Sequence, residues 1–197
     1  MIPEGVETEP VAELLSAPRV LKISVKDNSP MSRHAVSVWD WIPVCLYSLC
    51  MIAQMALTFL HYNCMGMDNV ANLGWLVMTV SAVFGWLPIN AFKERGGVPD
   101  GKSYLHTTVL VDTGIYSVVR HPQYLAGILL SLALVLISQY QWNAVLLVPV
   151  VAGTLLDSGR ADRRLVEKFG EDYRLYMKRV PALDPVTGSL RLLRKRG

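Results

Sequence analysis

Arg120, His121, Pro122 and Tyr124 stand almost side by side in residues 118–127, VVRHPQYLAG, and the 34 residues from 123 to 156 carry no formal charge. An unpaired polar group at the edge of so apolar a segment is costly, so the cluster calls for an explanation. Proline is favoured at the first position of a helix, where its missing N–H leaves no donor orphaned. That places His121 at the cap, Arg120 just outside it and Tyr124 in the first turn, with Gly127 near the same face. A guanidinium beside a helix amino terminus suits an anion, a tyrosine ring can wall a cationic or flat ligand, and a small residue lets either approach closely. The bland alternative is that Arg120 snorkels to lipid phosphate, His121 only caps, and Tyr124 belongs to an aromatic belt.

The elements that must position these residues are greasy. The chain has 197 residues, for which one domain is the default; 52% are hydrophobic and only 18% charged, and mean hydropathy is +0.32. Residues 42–60 and 70–92 are uncharged runs of 19 and 23 residues, and a spanning helix needs roughly 20. The run 123–156 is too long for one ordinary span and is interrupted by SQYQWN at 138–143, a polar-aromatic cluster suited to an interface or a tight turn. It reads as a helical hairpin with arms of about 15 residues. The expected fold is therefore all-α: an integral membrane bundle of about four transmembrane helices, the last two a hairpin.

Charge sets the expected orientation. Residues 159–197 hold 11 Lys and Arg against 5 Asp and Glu, and the loop 61–69 holds no Lys or Arg. Basic residues also flank the first span (Arg19, Lys22, Lys26, Arg33) and follow the second (Lys93, Arg95, Lys102, Arg120). By the positive-inside rule both ends and the segment 93–123 are cytoplasmic, which four crossings satisfy. Residues 1–36, acidic and proline-containing with no signal-peptide core, form a poorly ordered cytoplasmic segment, with Met31 a natural alternative start; residues 37–197 form the membrane domain. Within 160–178, Leu165, Phe169, Tyr173, Tyr176 and Met177 recur at helical spacing opposite a charged face, which predicts an amphipathic cytoplasmic helix ended by Val180-Pro181. The terminal RLLRKR suits anionic head groups. Cys45, Cys50 and Cys64 have no metal-ligand spacing, so no metal is expected, and nothing in the charge pattern points to nucleic acid.

GIYSVVRHPQYLAG, followed about forty residues later by RADRRLVEKFGEDYRLYMKRVP, resembles the isoprenylcysteine carboxyl methyltransferase family and its bacterial and archaeal relatives. The likeness spans residues 109–181. It implies a membrane enzyme using S-adenosylmethionine, with His121 and Tyr124 contacting the donor alongside Leu125, Gly127 and Asp162. The family's two adjacent glutamates fall here on Ala161 and Asp162: one acid is shortened by a methylene, the other is lost. Asp157, one turn earlier, is a stand-in for the missing acid.

The donor carries a sulfonium, an ammonium and a carboxylate, so its pocket needs both signs of charge and an aromatic wall. Tyr124 supplies the wall, Arg120 or helix N–H groups meet the carboxylate, and Asp162 meets the ammonium or ribose. Arg160, with Arg163 second, is the candidate cation for an anionic acceptor; Arg160 and Arg120 are thus the expected catalytic residues. The acceptor implied is lipid-tailed, plausibly a prenylated cysteine carboxylate, with an amine or thiol the nearer choice where prenylated proteins are absent. Phospholipid methyltransferases and membrane sterol reductases share parts of the motif. An NADPH-dependent reductase and a non-catalytic lipid-binding scaffold therefore stand as alternatives.

Overall fold

The computed structural model describes residues 38–95 and 110–194, and every element in them is helical. In chain order these are α1 (Val38–Leu60), α2 (Asp68–Arg95), a 3-10 turn (Gly114–Ser117), α3 (Pro122–Ser138), α4 (Gln141–Phe169), α5 (Glu171–Arg179) and α6 (Pro185–Arg194). The expected amino-terminal segment 1–36 and most of the basic connection 93–109 lie outside the described residues.

Three helices are long and apolar enough to cross a membrane, within Trp41–Leu60, Asp68–Ala91 and Gln141–Phe169, and Pro122–Ser138 is a shorter apolar helix. Their packing is inverted relative to a protein in water. Phe59 is 88% exposed and Leu60, Leu49, Ile52, Trp86 and Val148 are all largely uncovered, while Gln54, Ser131, Ser138 and Asn143 are fully buried. Lipid solvates the outward leucines as well as a core would, so the interior is left for small and polar contacts. The protein is a helical membrane bundle, as its sequence predicts.

α3 sits centrally and touches α1, α2 and α4. Its closest neighbour is α2, whose small face (Ala71, Gly74, Ser81, Gly85) lies against α3, with the Ser81 hydroxyl donating to the Ala126 carbonyl at 2.8 Å. A Cβ at Gly74 would stand 2.7 Å from Ile137 Cγ1 and 2.9 Å from the Ile137 nitrogen. Gly153 of α4 plays the same part against Tyr47 of α1, 2.9 Å from its ring.

At 17 residues, α3 is about 25 Å long and short of a typical hydrocarbon core of about 30 Å. Its far end is therefore closed by protein. The carbonyls of Ile137 and Ser138 accept from the N–H groups of Asn63 and Cys64 in the α1–α2 loop, at 3.1 and 3.0 Å. Gln139 adopts the left-handed conformation (φ 53°) and its side-chain amide grips both the N–H and the carbonyl of Met67. Below this cap, Gln54 accepts from Ser131 at 2.6 Å and donates to the Asn143 carbonyl at 2.8 Å, and the Asn143 amide donates to Thr58 and Ser138. These bonds fix the register of α1, α3 and α4 where no water is at hand.

Two sequence expectations need correction. The hairpin arms are unequal, because α4 runs on for 29 residues through Asp157 and Asp162 to Phe169. The surface helix expected over 160–178 is accordingly divided into the end of α4 and the separate α5. Charge does not stop a helix of good formers such as Arg, Ala, Leu, Glu and Lys; Gly170 does, at φ 61°.

Gly74→Val is expected to lower the stability of the detergent-solubilised protein by about 1–3 kcal/mol, whereas Gly127→Ala, whose Cβ meets nothing within 4 Å, leaves it unchanged. Thermal unfolding of both variants checks this.

Candidate active site

The mouth of α3 is held from both sides of the sequence. Pro122 is the first helical residue and His121 the N-cap, as the sequence predicts, but the His121 ring makes no capping bond. It turns to Asp162 instead, with Nε2 2.7 Å from one carboxylate oxygen. Arg120 Nη1 donates to the other oxygen at 3.0 Å, and the Tyr173 hydroxyl donates to the first at 2.6 Å. Backbone bonds complete the clasp, as the Arg120 and His121 N–H groups donate to the carbonyls of Pro181 and Ala182, each at 3.0 Å. The Tyr176 hydroxyl donates to the Tyr116 carbonyl at 2.6 Å, tying α5 to the 3-10 turn that leads into the motif.

The two tyrosines of FGEDYRLY thus act as supports. They pack with Phe169 and Val180 in one buried cluster. Burial first, and for Tyr173 then its bond to Asp162, push both phenol groups well above their ordinary value of 10.0, so each stays a protonated donor. Their helical spacing was legible in the sequence; their partners were not, since Asp162 and Tyr116 belong to other elements.

Above this clasp lies a cavity of about 490 Å³ whose wall includes Tyr47, Tyr116, Arg120, His121, Tyr124 and Asp157. That is within the range of small-molecule sites. α4 contributes Thr154, Asp157, Ala161 and Leu165, one residue per helical turn. Asp157 is buried, and its carboxylate accepts from the Tyr124 hydroxyl at 2.9 Å. Arg164 approaches it at 4.0 Å from an exposed position and adds little. Arg120 has a side chain only 10% exposed, and its Nε is buried with no partner. The residue lines the cavity with its Nε covered by protein, and that unsatisfied N–H is a cost the fold carries at this site.

The structure brings together on this wall Arg120, His121, Tyr124 and Gly127 among the expected residues, and does not bring Leu125, Asp162 or Arg160 there. Leu125 is buried in packing. Asp162 lies off the stripe of α4 that faces the cavity and borders a second groove with Arg163; its carboxylate serves three donors that position the motif. Arg160, partly buried, falls on the other side of the same stripe. Helical phase is the reason, since neither 160 nor 162 shares a face with 154, 157, 161 and 165. Asp157, the stand-in for the missing acid, is on the wall, and Ala161 beside it leaves room.

The arrangement is that of a membrane helical bundle with a polar, ring-lined cavity where one short helix begins. The chain belongs to the family described as Protein of unknown function (DUF1295), whose model matches residues 19–180. This is a membrane-associated family of the steroid reductase/methyltransferase superfamily. No curated protein and no solved structure matches the chain.

Removing the Asp162 carboxylate (Asp162→Ala) leaves Arg120 buried without its counter-charge and is expected to cost about 3 kcal/mol of stability, against about 1–2 for Tyr173→Phe. Because the folded Tyr173 and Tyr176 keep their protons, stability is full below pH 10 and falls as pH rises beyond it, where the unfolded phenols ionise. Tyr173→Phe should flatten that alkaline slope in pH-resolved unfolding experiments.

Proposed function

We propose that this protein is a methyltransferase that uses S-adenosylmethionine on a lipid-tailed acceptor. The observation that carries the reading is the pairing, on one cavity wall, of the Arg120 side chain with the buried Asp157 carboxylate, set among tyrosine rings. The donor offers a carboxylate, an ammonium and a sulfonium, and the wall carries a counterpart to each: Arg120, Asp157, and the rings of Tyr124 and Tyr116. When bound, it supplies an electrophilic methyl group.

The chain's own residues then align and shield. Arg120 lends positive charge to the cavity wall while Asp162 holds its Nη1. Tyr124 fixes the Asp157 carboxylate through its hydroxyl and presents its ring beside it. Leu110, Val111, Leu165 and Phe169 make the rest of the wall apolar, which keeps water from the transfer. An acceptor such as a prenylated cysteine carboxylate is already ionised at neutral pH, so no side chain has to take a proton and positioning suffices. A phospholipid or amine acceptor would enter by the same wall. Tyr47, Gly127 and Thr154, from the apolar helices α1, α3 and α4, also line the cavity, and a lipid tail would approach between those helices. The basic balance of residues 159–197 supports, by the positive-inside rule, a cytoplasmic position for this end of the bundle, where a soluble donor reaches it.

The reading is tested by thermal stabilisation of the solubilised protein with S-adenosylhomocysteine and, separately, with NADPH. At about a hundredfold over its dissociation constant the first should add about 2.7 kcal/mol, or roughly 5–10 °C. Stabilisation by NADPH alone would replace the proposal with a membrane reductase, and by neither with a lipid-binding scaffold. Asp157→Asn should weaken S-adenosylhomocysteine binding about tenfold to a hundredfold, the worth of a charged hydrogen bond, and Arg160→Ala should leave it unchanged, both read by titration calorimetry.

A further inference from the structure

The last described helix, α6, offers a surface that no other described residue covers. It begins on a capping residue: Asp184 accepts from the N–H groups of Val186 and Thr187 at 3.0 and 3.1 Å and from the Thr187 hydroxyl, and Pro185 occupies the first position. The hydroxyl bond of Thr187 foremost holds the Asp184 carboxyl below its ordinary value, so the cap is ionised at neutral pH.

One side of α6 is pressed onto the protein at Gly188. The residue is buried, and a Cβ there would overlap the Val118 carbonyl oxygen, two residues before Arg120. The opposite side carries Val186, Leu190 and Leu193, spaced four and three residues apart along one stripe and 66%, 62% and 66% exposed. Arg194 stands beside that stripe in the last turn, Arg191 lies nearer the Gly188 side, and Lys195 and Arg196 follow in sequence.

The height of α6 on the bundle says what covers the stripe. Pro181 and Ala182, just before it, bind the backbone at the amino end of α3, an apolar helix with no charged residue from its first position on. α6 therefore lies at the level where head groups meet acyl chains. Leucines on one stripe with an arginine beside it fit that boundary, with the aliphatic side chains sunk and the guanidinium group among phosphates. An aqueous surface would leave three large aliphatic groups in water.

We infer that α6 is an interfacial helix whose Val186–Leu190–Leu193 stripe rests in an anionic leaflet, so that the lipid surface braces the chain segment that clasps Arg120 and His121. This inference is independent of methyl transfer.

Full-length protein with Cys45, Cys50 and Cys64 replaced by alanine, and a single nitroxide at position 187, 190 or 193, is reconstituted into vesicles of phosphatidylcholine with or without phosphatidylserine. In the anionic vesicles the labels at 190 and 193 are expected to lose collisions with a water-soluble nickel reagent and gain them with oxygen, while the label at 187 stays accessible to nickel. Labels at 190 and 193 as open to nickel as that at 187 would overturn the inference. Protection accompanied by spin–spin broadening between copies would overturn it in favour of a dimer contact. Equal immersion in phosphatidylcholine alone would overturn the assignment to anionic lipid. Adding Leu190→Ser to the 193-labelled protein should return that label to the water, and its failure to do so would count against the stripe.

Discussion

One carboxylate holds the functional end of this molecule together. Asp162 receives Arg120, His121 and Tyr173, and those three donors come from the loop before α3, the cap of α3 and the separate helix α5. Each partner satisfies a group that would otherwise be buried without one, which is why the arrangement is mutually dependent. The same bonds hold the arginine against Asp162 and leave its side chain on the wall of the cavity. A residue that touches no proposed ligand thereby decides where the ligand-facing atoms stand.

The rest of the bundle follows from what a bilayer withholds. With no water to complete hydrogen bonds, a short helix such as α3 must have its terminal carbonyls capped by protein, and the loop between α1 and α2 does this with two backbone N–H groups. Hydroxyl and amide side chains deep between helices bond to one another and to backbone carbonyls, setting register where leucines facing lipid cannot. Small residues do the remaining work of approach. Gly74 and Gly153 each mark a place where a neighbouring helix or ring already occupies the space of a side chain.

The division of labour along α4 has a consequence for chemistry. A single helix serves as a lipid-facing span in its first half, a cavity wall through Thr154, Asp157, Ala161 and Leu165, and a structural strut at Asp162. Because the cavity stripe is narrow, Asp157 is the acid of α4 that lines it, in reach of the Tyr124 hydroxyl. The wall thus keeps one anionic and one cationic group, with the tyrosines supplying both rings and donors.

Much of this was legible in the residues themselves. Uncharged runs of spanning length, the SQYQWN break, and the Arg-His-Pro-x-Tyr cluster at a helix start all declare their local structure, because length, polarity and proline geometry act over a few residues. The spacing of Tyr173 and Tyr176 likewise declares a helix face. What the sequence could not decide is which charged residues of 157–164 face inward. Arg160 and Asp162 look as suitable as Asp157 in a one-dimensional reading. Only the packed structure sets the helical phase of an uninterrupted α4 against α1, α3 and α5, and so sends one acid to the cavity and the other to the clasp. Periodicity is a local property of the chain, whereas phase relative to neighbours is fixed by contacts between residues tens of positions apart.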